Sequence, residues 1–386
     1  MYIPNQQGDV EEMLRTMGMT SVSQLFADIP PSVRLNRDLA VPGPLPEWEL
    51  LKRFHHLAGR NLAVGCTVSF LGAGCYEHHI PSALKHLVGR SEFYTAYTPY
   101  QPELSQGTLQ AIFEFQTYVA RLTGMDAANA SMYDGATALA EAVLMAQRVR
   151  PGREQLVVSG TVHPEYRQVA RTLTAPLDLD WDEVPATAAL GTDWQALTAR
   201  LGPGTSCVVV QNPNCLGTIE DLSGLREAAR RAREVGALFI VVVVEPLSLG
   251  LLRPPGGYGA DVVVGEGQSL GIPMAFGGPH LGLLATRSEL VRQMPGRLVG
   301  ETRDRQGRRG FVLTLATREQ HIRRERATSN ICTNQSLCAL TAAVYLALLG
   351  PSGLRGVAAM NLRRSREAIS GLASIPGFEI LQDQCF

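Results

Sequence analysis

The stretches ALFIVVVVEPLSLG (237–250) and ADVVVGEGQSLGIPMAFGGPHLGLLATR (260–287) decide the fold. Each holds a run rich in β-branched residues, LFIVVVV (238–244) and VVV (262–264), that is apolar at every position. A strand exposed on one face would alternate apolar and polar residues, so these runs read as strands covered on both faces. The same pattern continues outward. QLVVSG (155–160), SCVVVQNP (206–213) and HLGLLATR (280–287) are further short runs. Helical segments lie before or between them: TLQAIFEFQTYVARLTG (108–124), ATALAEAVLMAQRVR (136–150) and LSGLREAARRAREVG (222–236). Strands alternating with helices predict an α/β fold, a mostly parallel sheet with helices on both faces.

The flanks differ. Asp9 is placed to cap a first helix that stops at Gly18, SVSQLFADI (21–29) reads as a short second helix, and Pro46 opens a third, PEWELLKRFHHLAG. Together they predict an N-terminal helical extension that wraps a neighbour. Residues 66–107 are rich in Gly, Pro and Tyr and lack hydrophobic periodicity, so they read as a long ordered loop with a functional role. A helical pair is expected over roughly 334–375, and FEIL (378–381) as the beginning of a strand.

Composition narrows the function. A net charge of −1 does not suit a general nucleic-acid binder. The first residues carry neither a basic nor an apolar signal region, and the apolar runs are too short for a membrane span, so a cytoplasmic protein with no membrane partner is expected. Seven cysteines without a C-x-x-C pair fit reduced thiols, most of them small buried apolar residues. The histidine pairs 55/56 and 78/79 lack ligand-spaced partners and predict no metal site; His78 and His79 are candidates to line a pocket. Residues 297–326 hold nine arginines against four acids, which suits a solvated or interface face, or a docking surface for an acidic carrier protein.

In a doubly wound sheet the chemistry sits after the carboxyl ends of the strands. Those loops read HPEY, NPNCLG, EPLSLG and GEGQSLGIPMAFGGPHLG. The glycine spacing at 265, 267 and 271 is close to a dinucleotide fingerprint, but Pro273 leaves no room for the helix that would meet a pyrophosphate. The loop order resembles the large domain of fold-type-I pyridoxal-phosphate (PLP) enzymes. More specifically, YIPNQQGDVEEML, SEFYTAYTPYQPELSQG, NASMYDGATALAEA, VVVQNPNCLG, VVGEGQSLGIPMAFGGPHLG and RATSNICTNQSL resemble the non-lysine subunit of the two-subunit bacterial glycine decarboxylase, the P-protein of the glycine cleavage system. The resemblance covers essentially the whole chain.

It implies that a catalytic subunit carries His-Lys where this chain has Gly267 and Gln268, so that Gln268 occupies the lost lysine position. Of 35 Lys and Arg residues only Lys52 and Lys85 are lysines, and neither follows a sheet strand. Glu245 stands where the family's acid, usually Asp, meets the pyridine nitrogen. Asp134 stands at the helix start that would cradle a phosphate, where a carboxylate caps the helix and repels an anion. The resemblance therefore implies PLP held covalently by a lysine-bearing second subunit, an α2β2 assembly, glycine as substrate, and transfer of an aminomethyl group to a lipoylated H-protein. This chain would supply a wall of the partner's site: Tyr97, Thr98, Tyr100 and Glu103 from the loop Tyr94–Gln106, and Thr328, Ser329 and Asn330 toward the cofactor phosphate. The alternative is a non-catalytic PLP-fold scaffold or regulatory subunit. The expected domains are 1–65, the helical extension; 66–330, the PLP-transferase-like large domain; and 331–386, the start of a C-terminal small domain that in the family continues past Phe386, so that the chain reads as truncated.

Overall fold

The computed structural model describes all residues except 1–3, 63–66, 70, 73, 276 and 332. The chain divides into two compact units, Met1–Phe70 and Leu71–Phe386. In the first, helix α1 spans Gln7–Thr16 and α2 spans Glu47–Ala58. Asp9 is not the N-cap expected from the sequence. Gln6 is, and Asp9 closes its capping box by accepting from the Gln6 backbone N–H at 2.7 Å. The second expected helix is a short 3-10 turn, Val22–Phe26. Among the described residues α2 buries none of its side chains: Trp48 is 66% and Phe54 62% exposed.

The second unit begins with helices α3 (Ser82–Val88) and α4 (Ser91–Tyr94), so the stretch read as one long loop carries two short helices. Then come α5 (Gln106–Thr123), strand β1 (Ala127–Ala128), α6 (Gly135–Val149), β2 (Gln155–Ser159), α7 (Pro164–Thr174), β3 (Asp180–Val184) and α8 (Trp194–Ala199). They are followed by β4 (Thr205–Gln211), α9 (Leu222–Val235), β5 (Leu238–Val243), β6 (Val262–Glu266) and β7 (Gly282–Thr286). A hairpin, β8 (Leu298–Arg303) and β9 (Arg309–Thr314), precedes α10 (Gln320–Arg323) and the long α11 (Ser336–Ala373).

Among the described residues seven strands form one sheet in the order β1-β7-β6-β5-β4-β2-β3. The pairings from β3 through β6 are parallel; β7 runs antiparallel to β6, and β1 to β7. The described residues of 267–281 contain no helix to carry the chain across, and β7 returns antiparallel. The expected two-sided burial is visible in the alternation. Val157, Val208, Val210, Phe239, Val241 and Val243 pack with Phe115, Leu225 and Tyr345 of α5, α9 and α11. Leu156, Val158, Val209, Ile240 and Val242 face the other way, against Leu139, Val143 and Tyr166 of α6 and α7.

The expected helical pair near the carboxyl end is α11, broken at Gly350 (φ +60°) before Pro351. By length and composition α11 could cross a membrane, which the sequence reading of short apolar runs overlooked; its Ala339, Leu340, Tyr345 and Leu346 lie in the core instead. FEIL forms no strand. The chain pairs a little later, through a bridge between Cys385 and Thr218, and Ile219 N–H donates to the Gln384 carbonyl at 2.9 Å. Nor are most described cysteines buried. Cys207 and Cys338 are, and burial pushes their thiols up to about 12 and about 11; Cys75 is exposed, and Cys215 and Cys385 are half-buried. Cys66 and Cys332 lie outside the described residues.

Candidate functional site

The carboxyl ends of β6, β5, β4 and β2 lie side by side and form one rim. Residues 74–80 run into this rim. Gly74 adopts φ +100°, and a Cβ there would lie 3.1 Å from Val244 Cγ1 and 3.5 Å from His163 Nε2, so only glycine passes this closely. Tyr76 pairs with Gln268 in both directions: Tyr76 N–H donates to Gln268 Oε1 at 3.2 Å, and Gln268 Nε2 donates to the Tyr76 carbonyl at 3.3 Å. Gln268 also donates to the Ile272 carbonyl at 2.7 Å and is only 3% exposed. Its amide therefore works as both donor and acceptor, which an ammonium cannot do.

Two residues on, His78 Nε2 lies 2.9 Å from Glu245 Oε2. The other oxygen of Glu245 accepts from Ser269 Oγ at 2.8 Å and from Leu247 N–H at 3.0 Å. The acid at the end of β5 is thus engaged by groups of its own chain. His78 was placed as pocket-lining from sequence, and it lies in the rim; nothing in the pattern of the sequence pairs it with Glu245.

The start of α6 is also taken. Asp134 Oδ1 accepts from Thr137 N–H at 2.8 Å, the cap expected from sequence. Glu266, at the end of β6 and 3% exposed, was not anticipated. Its Oε2 accepts from Gly135 N–H at 3.1 Å, and its Oε1 from Gln268 N–H at 3.1 Å and Leu281 N–H at 2.8 Å. Two carboxylates thus serve the first-turn amides that make a helix N-terminus attractive to anions. A Cβ on Gly135 would meet the Tyr166 hydroxyl at 2.2 Å, so this ring closes the turn from above. Burial, then Glu266 and Asp134, hold the Tyr166 phenol well above its ordinary range. His280 Nδ1 stands 3.6 Å from Glu266, and the nearby carboxylate raises the imidazole. Cys75 Sγ stands 3.9 Å from His280 Nε2, and partial desolvation followed by Glu266 pushes the Cys75 thiol up, away from a reactive thiolate.

The two wall segments expected from sequence hang from another place, the stretch 294–297 before β8. Arg297, 3% exposed, donates through Nη2 to the Tyr100 hydroxyl at 2.7 Å and through Nη1 to Thr98 Oγ1 at 3.4 Å. Tyr97 is 83% exposed and Glu103 is also at the surface. Thr328 N–H donates to the Arg318 carbonyl at 3.0 Å, and the Arg318 guanidinium holds the carbonyls of Gly296 and Met294. Ser329 Oγ accepts from Ile331 N–H at 3.4 Å, and Asn330 is exposed. Segments more than two hundred positions apart in the chain are thus tied to the same four residues. Of the lysines, Lys52 lies in α2 and Lys85 in α3, neither at the end of a sheet strand.

The chain matches the glycine cleavage system P-protein family over residues 1–386. It is 52% identical over 379 residues to the probable glycine dehydrogenase (decarboxylating) subunit 1 of Desulforamulus reducens, covering 98% of this chain and 84% of that protein. With the protein of the same name from Thermomicrobium roseum it shares 51% identity over 386 residues, 100% and 85% of the two chains. Among solved structures it superposes on glycine decarboxylase (P-protein) of the glycine cleavage system, in inhibitor-bound form, with a TM-score of 0.89 and 50% identity, covering 98% of this chain and 83% of that one. Lactobacillus brevis glutamate decarboxylase, 12% identical with a TM-score of 0.63 over 95% and 80% of the chains, shares the fold, which is that of the fold-type-I PLP enzymes. The sheet, the rim and these relatives agree: the chain belongs to the glycine cleavage system P-protein family.

Proposed function

We propose that this chain is the lysine-less half of a two-subunit glycine dehydrogenase (decarboxylating), and that PLP is held covalently by the companion subunit. The observation that carries this reading is the filled rim. PLP needs a lysine for its aldehyde, an acid free to meet its pyridine nitrogen, and donors for its phosphate. Here Gln268 is bonded to Tyr76 and Ile272, Glu245 is engaged by His78 and Ser269, and Glu266 and Asp134 serve the α6 amides. The residues present do not fit the cofactor.

What the chain offers is a wall. Tyr97, Thr98, Tyr100 and Glu103 present hydroxyls and a carboxylate on a loop stiffened by Pro99 and Pro102. Their role is to orient glycine and guard the path of the lipoyl arm of the H-protein at the companion's site. Thr328, Ser329 and Asn330 offer donors toward the phosphate of the companion's PLP. The exposed apolar side chains of the first unit, Trp48 and Phe54 among them, support packing against that companion, and the pair doubles to α2β2. The free thiols of the five described cysteines suit a cytoplasmic enzyme.

The test is reconstitution. The purified chain alone is expected to be colourless and inactive, and decarboxylation of glycine should appear only on mixing with the PLP-loaded companion subunit. A companion that is fully active without this chain would leave it the role of a scaffold or regulator.

A further inference from the structure

We propose that Arg297 is a positioning residue for the companion's active site, setting the Tyr-rich loop through Thr98 and Tyr100. The inference rests on the reading of that loop as a wall. The loop itself is poorly held by packing: Tyr97 is 83%, Tyr100 54% and Leu104 78% exposed. Such a surface loop would sample many shapes. Arg297 is the opposite, 3% exposed at the start of the β8 hairpin. Its backbone is fixed, since its carbonyl accepts from Ala130 N–H at 2.9 Å and the adjoining Pro295 carbonyl accepts from Asn129 Nδ2 at 3.0 Å. From that anchor the rigid guanidinium reaches two loop hydroxyls at once, and its carbon lies 5.1 Å from the Tyr100 ring centroid.

Burying a guanidinium is costly unless its donors are used. Spending two of them on neutral hydroxyls of an exposed loop makes sense if the loop must hold one shape. The other end of the loop is clamped as well. Gln106 Oε1 accepts from Phe311 N–H at 2.9 Å, and its Nε2 donates to the Phe311 carbonyl at 2.8 Å and the Pro102 carbonyl at 2.7 Å. The hairpin therefore grips the loop at both ends, by Arg297 before β8 and by Phe311 within β9. On this proposal Arg297 acts through Tyr100 and Thr98.

The experiment compares Arg297→Met, Arg297→Lys and Tyr100→Phe in the assembled two-subunit enzyme, following amide hydrogen exchange of peptides over 94–104 together with turnover. Arg297→Met is expected to raise loop exchange about ten-fold or more and to lower kcat/KM by roughly ten-fold, with assembly retained. Arg297→Lys keeps the charge and can serve one hydroxyl, so it should fall between Met and the parent. Tyr100→Phe should loosen the loop too, and adding it to Arg297→Met should cost little more, because both remove the same contact. Unchanged exchange in both Arg297→Lys and Arg297→Met overturns the inference. So does a looser loop with parental turnover when Tyr97→Phe or Tyr100→Phe is itself impaired. If all these variants turn over like the parent, the wall reading fails and the inference with it. Should Arg297→Met fail to assemble, the Lys and Tyr100→Phe exchange data still decide.

Discussion

Placing a lysine at position 268 should not confer PLP binding. In Gln268→Lys the new ammonium could still donate to the Ile272 carbonyl, but nothing would accept from Tyr76 N–H, which now bonds Gln268 Oε1. A buried N–H left without an acceptor costs about 1–3 kcal/mol, and desolvating the ammonium adds to it. The variant should therefore be less stable by at least that amount and unfold at a lower urea concentration. Binding of PLP faces a larger obstacle. A phosphate seated at the α6 N-terminus would displace or adjoin the Glu266 carboxylate on Gly135 N–H. At a separation near 4 Å, two like unit charges repel by about 4 kcal/mol at an effective dielectric of 20, roughly a thousand-fold in affinity. Asp134 adds repulsion of the same sign, and His78 still engages Glu245. Absorbance titration with PLP, followed by borohydride and intact mass, should give no stoichiometric adduct. One tightly bound PLP per chain in the variant alone would refute the claim that the filled rim, and not the missing lysine by itself, excludes the cofactor.

Tyr97→Phe and Tyr100→Phe keep the rings and remove one hydroxyl each. At least one should lower turnover of the assembled enzyme by roughly ten-fold or more, about 1.4 kcal/mol of transition-state stabilisation; parental kinetics in both would leave the loop as packing alone. The His280–Glu266 contact predicts a pH dependence. The imidazole is raised above its ordinary value of 6.5 by Glu266, so its contribution to stability is complete below that value and is lost as pH rises through the raised one. The urea midpoint of the chain should exceed that of His280→Gln at pH about 5.5 and converge on it at pH about 9; a difference independent of pH would contradict the assignment.

The fold was legible in the sequence because its signal is local. Val241, Val242 and Val243 cannot alternate between water and core, so they announce a covered strand. The carboxylate cap of Asp134 was legible for the same reason, as N-cap chemistry spans only a few residues. The pairs that fill the rim were not. His78 meets Glu245 across 167 positions and Tyr76 meets Gln268 across 192, and no periodicity encodes such pairs. Glu266 was hidden differently: inside GEGQSLG it read as a spacer between glycines, although its carboxylate joins β6 to the start of α6. FEIL misled because Phe378, Ile380 and Leu381 suit a strand wherever they stand, while pairing depends on a neighbour, found among the described residues at Cys385.

The central claim is that this chain shapes a site whose cofactor belongs to its companion. The most direct measurement is borohydride reduction of the assembled, PLP-loaded enzyme, followed by separation of the subunits and peptide mapping. The account predicts the reduced pyridoxyl label on a lysine of the companion and none on this chain. A stoichiometric label on Lys52 or Lys85 of this chain would contradict it.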